Sequence, residues 1–305
     1  MDNELNSCKA VTIGTFDGVH RGHVAVLDML KAEARSRGLT PAAMTFDRHP
    51  LELIAPEKAP GNLLSTARKS ELIRGEGVLP IVLAFNEAVR GMRAYEWLRL
   101  IHRRYGVRLL VLGYDNTFGC DGVDLSLSDI KAMGDAVGIE VLEAPEVSGV
   151  SSSRIRKAVS AGDMESAADM LGRMPELEGR VVSGFHVGSE IGFPTANVQV
   201  HPGMVVPAGG VYAATAFIAG SGEAHCAMVN IGVRPTFENT PSRSDHTTVE
   251  AHVIGLDEVL YGKTMRLEFL ARLRDEHKFA SVDALRRQLE ADRSLTIRLC
   301  GKTAE

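Results

Sequence analysis

The sequence predicts an α/β chain in two parts: a parallel sheet with helices on both faces, then a small antiparallel β-barrel with a C-terminal helix. Three observations predict it. The first is length. At 305 residues the chain exceeds what one hydrophobic core usually serves, because cores tend to divide at about 250 to 300 residues. The second is a strand-helix rhythm that lasts to about residue 175, and the third is its replacement by a strand-only rhythm from about Gly179. Residues 1–175 and 179–305 are therefore read as separate domains.

In the first part, Ala10 to Gly14, Ala42 to Phe46, Ile81 to Phe85, Leu109 to Gly113 and Ile139 to Ala144 are short β-rich runs with the length of buried strands. Between them, Val24, Leu27, Met29 and Leu30, and again Trp97, Leu98 and Ile101, recur at the spacing of one helix face. Strands alternating with helices argue a parallel, doubly wound sheet. In the second part, Arg180 to Ser183, Val211 to Ile218, Ala224 to Ile231, Thr247 to Ile254 and Thr264 to Leu270 are divided by Gly, Pro, Asn and Asp clusters. That pattern belongs to an antiparallel sheet or barrel. One helix follows, with Ser281 as N-cap, Asp283 in the first turn, and Leu285, Leu289 and Ile297 available for packing. Ala55 to Ser65, which contains Pro and Gly, reads as a loop.

A composition of 45% hydrophobic and 24% charged residues is that of a soluble globular chain, and no run approaches the roughly 18 apolar residues of a membrane span. Met1 to Lys9 carries acids and amides without a basic region followed by an apolar one, so it does not read as a secretory leader and a cytoplasmic location is expected. Cys8, Cys120, Cys226 and Cys300 are scattered, without a Cys-x-x-Cys pair or a His at metal spacing, and are read as reduced and structural. A net charge of -5 with Lys and Arg spread along the chain makes no basic stripe. Neither nucleic acid nor a membrane is an expected partner, and the oligomeric state stays open.

The most informative stretch is Thr12-Ile-Gly-Thr-Phe-Asp-Gly-Val-His-Arg-Gly-His23, which leaves the first strand and enters the first helix. Gly14, Gly18 and Gly22 remove side-chain obstruction, and a helix start offers unpaired N–H groups to an anion. His20 and His23, three apart at that start, share one side of the helix and can donate to phosphate oxygens. The motif holds no Ser, Cys or Lys nucleophile. The chemistry it suggests is electrostatic stabilisation of a direct phosphoryl or nucleotidyl displacement.

This stretch resembles the His-x-Gly-His signature of the nucleotidyltransferase superfamily, and Gly14 to His23 resembles its FAD synthetase branch. Thr45-Phe-Asp-Arg-His-Pro50, Leu112-Gly-Tyr-Asp-Asn-Thr-Phe-Gly119 and Val150-Ser-Ser-Ser-Arg-Ile-Arg156 resemble three further segments of that branch. Each follows a predicted strand, at the sheet edge where α/β proteins bind ligands. The resemblance implies a Rossmann-like domain in which Gly14, Phe16, Asp17 and Gly18 line the ATP site and His20 and His23 contact its phosphates. It also implies that Ser152, Ser153 and Arg156 hold the triphosphate and that Asp115 helps to place the flavin. Arg156 fits this independently, as a guanidinium neutralises a transferring phosphoryl group. Read alone, Ser151 to Ser153 are an ordinary helix cap. Asn116 stands where the branch usually has Phe.

In the second part, Gly192-Phe-Pro-Thr-Ala-Asn197, Met228-Val-Asn-Ile-Gly-Val-Arg-Pro-Thr-Phe237, Val249-Glu-Ala-His252, Leu260-Tyr-Gly262 and Arg272-Leu-Arg-Asp-Glu276, in this order, resemble the riboflavin kinase family. The resemblance implies that Gly192 and Pro194 shape the ATP loop, that Thr195 and Asn197 serve the Mg-ATP site, and that Glu250 accepts the proton of the riboflavin 5′-hydroxyl. Mg²⁺ takes oxygen ligands, and a hydroxyl so weakly acidic needs a base. In a strand Val249, Ala251 and Val253 share one face and Glu250 lies on the other. Arg274 resembles the family arginine at the flavin end; a salt bridge with Asp275 or Glu276 has the same appearance in sequence. Ser189 replaces a usual basic residue, and Gly255 to Gly262 lacks the usual Asp-Phe start.

The implied reactions are phosphorylation of riboflavin to FMN and adenylylation of FMN to FAD, with ATP and Mg²⁺ in both. The two departures leave a second reading, adenylyl transfer alone with the barrel as a flavin-binding module. A third, a flavin sensor without turnover, is opposed by the joint presence of His20, His23, Thr195, Asn197 and Glu250.

Overall fold

The structure, a computed structural model, describes residues 7–114, 118–183, 192–233 and 247–303. Its contacts divide the chain into two compact units, Met1–Ser151 and Ser152–Glu305.

The first unit is built on five strands, β1 (Lys9–Ile13), β2 (Thr40–Phe46), β3 (Leu79–Leu83), β4 (Val107–Leu112) and β5 (Glu140–Glu143). They pair in the order β3-β2-β1-β4-β5, every pair parallel. Helices α1 (Arg21–Ser36), α2 (Pro50–Ile54), α3 (Thr66–Gly75), α4 (Glu87–Arg90), α5 (Ala94–Tyr105) and α6 (Leu127–Val137) connect them. One apolar layer joins Leu27, Leu30 and Ala34 of α1 and Ile73 of α3 to Ala10, Ala43, Leu109 and Val111. The other joins Trp97, Leu98 and Ile101 of α5 and Ile130 of α6 to Val11, Met44, Leu110 and Val141. Each inner strand thus alternates its side chains between two buried layers, which is why these strands read as apolar runs. The order reverses between β1 and β4, so the crevice beyond their C-terminal ends is the topological switch point, where such sheets bind ligands.

The second unit starts with helices α7 (Ser152–Ala161) and α8 (Met164–Leu171). It continues with β6 (Glu176–Val182), β7 (Ala196–Val200), β8 (Gly210–Ile218), β9 (Ala224–Val233), β10 (Thr247–Val253) and β11 (Thr264–Arg274), and ends with α9 (Val282–Thr303). The strands close a barrel in the order β10-β7-β6-β11-β8-β9, every pair antiparallel. The interior holds Leu177, Val181, Val198, Val249, Ala251, Met265, Leu267 and Phe269.

The contacts divide the chain at Ser151/Ser152, whereas the sequence rhythm changes near residue 175; α8 packs on β11 and the turn at Gly162 lies on the barrel. A Cβ there would stand 2.8 Å from the Tyr212 hydroxyl and 2.9 Å from Arg272 Cδ, and φ is 78°. Strand β7 falls where no strand was expected, since Asn197 and Gln199 make its outer face polar and Val198 is its buried residue. Ile297 is 47% exposed and does not pack, whereas Asp292 and Thr296 on the inner face are buried.

That polar inner face carries a buried ion pair. Asp292 accepts from Arg274 Nε at 2.9 Å and from Gln288 Nε2 at 2.8 Å, while Arg274 Nη2 lies 2.9 Å from the same carboxylate. A bonded buried pair is stable, but removing one partner strands the other charge. Asp292→Ala is expected to destabilise the second unit by about 3 to 5 kcal/mol in urea unfolding. A loss under about 1 kcal/mol, the range of a surface pair, would contradict this account of α9.

Candidate functional sites

At the switch point, the chain leaves β1 through a backbone few sequences tolerate. Phe16, Gly18 and Val19 have φ of 48°, 88° and 39°. A β-branched or bulky residue with positive φ is strained, at about 1 to 3 kcal/mol each. The loop is therefore held from several sides. Gly14 N–H donates to Met44 O at 3.0 Å, and Val19 N–H to Phe16 O at 3.1 Å. The Thr15 carbonyl accepts from Thr45 Oγ1 at 3.0 Å and from Lys69 Nζ at 2.9 Å. Asp17 is 4% exposed, and its carboxylate accepts from the backbone N–H of Leu63 at 2.9 Å and of Leu64 at 3.3 Å. Phe16 and Asp17, expected to line the ATP site, are thus buried braces of the loop.

His20 is the N-cap of α1 and His23 is its third residue, and the two form a reciprocal capping box. His23 N–H donates to His20 Nδ1 at 3.3 Å, and His20 N–H to His23 Nδ1 at 3.4 Å. The rings stack with centroids 3.7 Å apart, and Phe16 tilts against His23 at 5.0 Å. An imidazole nitrogen that accepts carries no proton, so the neutral form of each ring is the Nε2–H tautomer. Both histidines are set as Nε2 donors. Gly22 makes room for this arrangement, because a Cβ there would lie 3.2 Å from the His20 ring.

Of the other predicted residues of this site, Ser152, Ser153 and Arg156 open α7 in the second unit, with Ile155 buried beneath them. Asp115 and Asn116 lie outside the described residues. Beyond them Phe118 is buried, and Gly119, at φ 86°, fits so closely under α5 that a Cβ would be 2.4 Å from Ala94 N. In Thr45 to Pro50, Asp47 Oδ1 accepts from Phe85 N–H at 2.9 Å and His49 caps α2 with Pro50 as its first residue. These are turn-forming tasks.

On the barrel, Glu250 pairs directly with Asn197 of β7 and with Asn230 of β9. Val249, Ala251 and Val253 point inward and are buried, so Glu250 lies on the outer face. Directly paired side chains stand about 4.5 to 5.5 Å apart at Cβ, so Asn197, Glu250 and Asn230 form one polar row across three strands. Asn230 Nδ2 donates to Glu276 Oε1 at 2.9 Å. Thr195, one residue before β7, lies on the approach formed by exposed Gly192, at φ 85°, buried Phe193, and Pro194. The Pro194 carbonyl accepts from His252 Nδ1 at 2.8 Å, and Phe193 meets the His252 ring edge-on at 5.2 Å. Burial holds His252 below the usual imidazole range. The hydroxyl oxygen of Thr195 and the amide oxygen of Asn197 are hard donors of the kind that Mg²⁺ takes, so these residues fit the ion.

Arg274, expected at the flavin, is committed to Asp292 and also donates to Asp275 O at 3.1 Å. Neither carboxylate considered from sequence is its buried partner, because Asp292 arrives from a helix 18 residues on. Ser189 lies outside the described residues. Sequence reading missed Lys69 and His252. A signal for Lys69 existed, as it stands four residues before buried Ile73 on one helix face. For His252, two residues after Glu250 on the same strand face, alternation was the signal.

The shared capping box makes a spectroscopic prediction. In nitrogen NMR above their titration, His20 and His23 should both show a protonated Nε2 and a bare Nδ1. A protonated Nδ1 on either ring would contradict the arrangement.

The FAD synthetase family model matches residues 2–158, and the riboflavin kinase model matches residues 171–300. The bifunctional riboflavin kinase/FMN adenylyltransferase of Pseudomonas fluorescens is 36% identical over 294 residues, 95% of this chain and 92% of that one. Its counterpart in Bacillus subtilis is 32% identical over 300 residues, 97% and 93% of the two chains. A crystal structure from Streptococcus pneumoniae, described as a macrolide-efflux protein, matches with a TM-score of 0.82 at 31% identity, covering 95% of this chain and 94% of that one. Among the described residues, no helix is long and apolar enough to cross a membrane. With both family models matched in order and relatives aligned over nearly its whole length, the chain belongs to the bifunctional riboflavin kinase/FMN adenylyltransferase family.

Proposed function

We propose that each part of the chain carries one of the family's two reactions. The barrel transfers the γ-phosphoryl group of ATP to riboflavin, giving FMN and ADP. The parallel-sheet unit transfers the adenylyl group of a second ATP to FMN, giving FAD and pyrophosphate. The observation that carries this reading is the reciprocal His20–His23 cap at the switch point, since two Nε2 donors at a helix start suit a phosphate chain under displacement.

In adenylyl transfer the FMN phosphate is the nucleophile, so the protein supplies position and charge. His20 and His23 donate to the ATP phosphates, with Gly14, Gly18 and Gly22 keeping the approach clear. The family resemblance further assigns Ser152, Ser153 and Arg156, at the start of α7, to the triphosphate and Asp115 to the flavin. Phe16 and Asp17 serve through the loop they brace. In the kinase reaction Glu250 takes the proton of the 5′-hydroxyl. Thr195 and Asn197 hold Mg²⁺, and Gly192 and Pro194 shape the loop that presents them. The ion, when bound, would supply positive charge to the phosphates. Arg274 holds the flavin end of the barrel through Asp292. The Asn197–Glu250–Asn230 row favours a working kinase over a passive flavin-binding barrel, because it sets a carboxylate beside the proposed magnesium ligand.

A crossed pair of variants tests the assignment. His23→Ala is expected to lower FAD formation from supplied FMN by on the order of 10²- to 10³-fold, the usual loss of one transition-state donor, with FMN formation intact. Glu250→Gln is expected to suppress FMN formation and leave FAD formation unchanged. Equal loss of both activities in either variant removes that residue from its role.

A further inference from the structure

Helix α3 contributes to the phosphate loop from below. Its N-cap, Ser65, directly follows Leu63 and Leu64, whose backbone N–H groups hold Asp17. One turn later comes Lys69, a lysine only 8% exposed. Its ammonium donates to Thr15 O at 2.9 Å and to Phe46 O at 3.2 Å. Thr15 precedes the first strained residue of the loop, and Phe46 ends the neighbouring strand. Burying a lysine is costly unless its donors are used, and here two backbone carbonyls at the switch point use them.

We propose that Lys69 is a positioning residue for adenylyl transfer, locking the loop that carries the positive-φ residues Phe16, Gly18 and Val19 and setting a buried positive charge beneath the phosphate chain. The inference rests on the adenylyltransferase reading given above. Lys69 acts through the Thr15 carbonyl. The carbonyl's orientation fixes the peptide plane that leads into Phe16, and so the start of the loop that delivers His20 and His23. The carboxylates that face it are Asp17 from the loop and Asp47 from the turn after β2, and both favour its charged form. Burial outweighs them and lowers its pKa to about 8. The charge is therefore present at neutral pH and is lost on modest alkalinisation, well above the titration of ATP and FMN phosphates, near 6.

The test uses the full chain, with FMN formation from riboflavin as the internal control. Lys69→Met keeps the side chain's volume and removes its donors and charge. It is expected to lower kcat/KM for ATP in FAD formation by roughly 10- to 100-fold, the scale of a small misplacement, with FMN formation unchanged. In the unsubstituted protein that parameter should fall as pH rises through about 8; in Lys69→Met the alkaline limb should be absent. A folded Lys69→Met with unchanged FAD kinetics, or one that retains the limb, overturns the inference. If Lys69→Met does not fold, the unsubstituted profile decides, and the lack of a limb near pH 8 overturns it. No FAD from the unsubstituted protein overturns the adenylyltransferase reading itself, independently of any variant.

Discussion

Between β1 and α1 the backbone takes positive φ at Phe16, Gly18 and Val19, and the N-terminal unit is arranged around holding it there. Two of the three are residues that resist this conformation, so the loop persists only where its surroundings over-determine it. Thr45, Asp17, Lys69 and the β2 carbonyl of Met44 supply that constraint, each through a hydrogen bond to loop or neighbouring backbone. The outcome is a helix start whose cap consists of two imidazoles. Because each ring's Nδ1 is occupied by the other residue's backbone N–H, Nε2 is left as donor on both. A capping interaction thereby sets the protonation pattern of the candidate catalytic groups.

In the proposed reactions the two units would meet the same demand, holding a nucleotide's phosphates, by different means. The parallel sheet uses backbone: a glycine-bearing turn, a helix start and the crevice made by the reversal of strand order. The barrel uses side chains on its outer face, where antiparallel register places Asn197, Glu250 and Asn230 side by side. Register is unforgiving, since a one-residue slip turns a whole strand over. The buried sequence Val249, Ala251, Val253 is what keeps Glu250 outside. The core of the barrel and the position of its proposed base are one fact.

Much of this was legible in the sequence because it rests on periodicity. The central strands β1, β2 and β4 are apolar on both faces, so they appear as uninterrupted runs, and Glu250 is placed by simple alternation. What escaped was decided by partners distant in sequence. Strand β7 carries Asn197 and Gln199 on its outer face and so lacks an apolar signature. Arg274 finds Asp292 on a helix whose inner face buries Asp292 and Thr296 and leaves Ile297 exposed. Asp17 sits inside the motif, and its carboxylate accepts from the backbone N–H groups of Leu63 and Leu64, which lie far along the chain. For Asp292 and Asp17 the deciding feature is a buried polar group whose partner the sequence cannot name.

The claim that one chain performs both reactions is tested most directly by a time course with riboflavin and excess Mg-ATP, separating the three flavins chromatographically. The account predicts that riboflavin declines, FMN rises and then falls, and FAD accumulates, with one ADP and one pyrophosphate formed for each FAD. Persistence of riboflavin, while supplied FMN is still converted to FAD, would contradict it and reduce the barrel to a binding module.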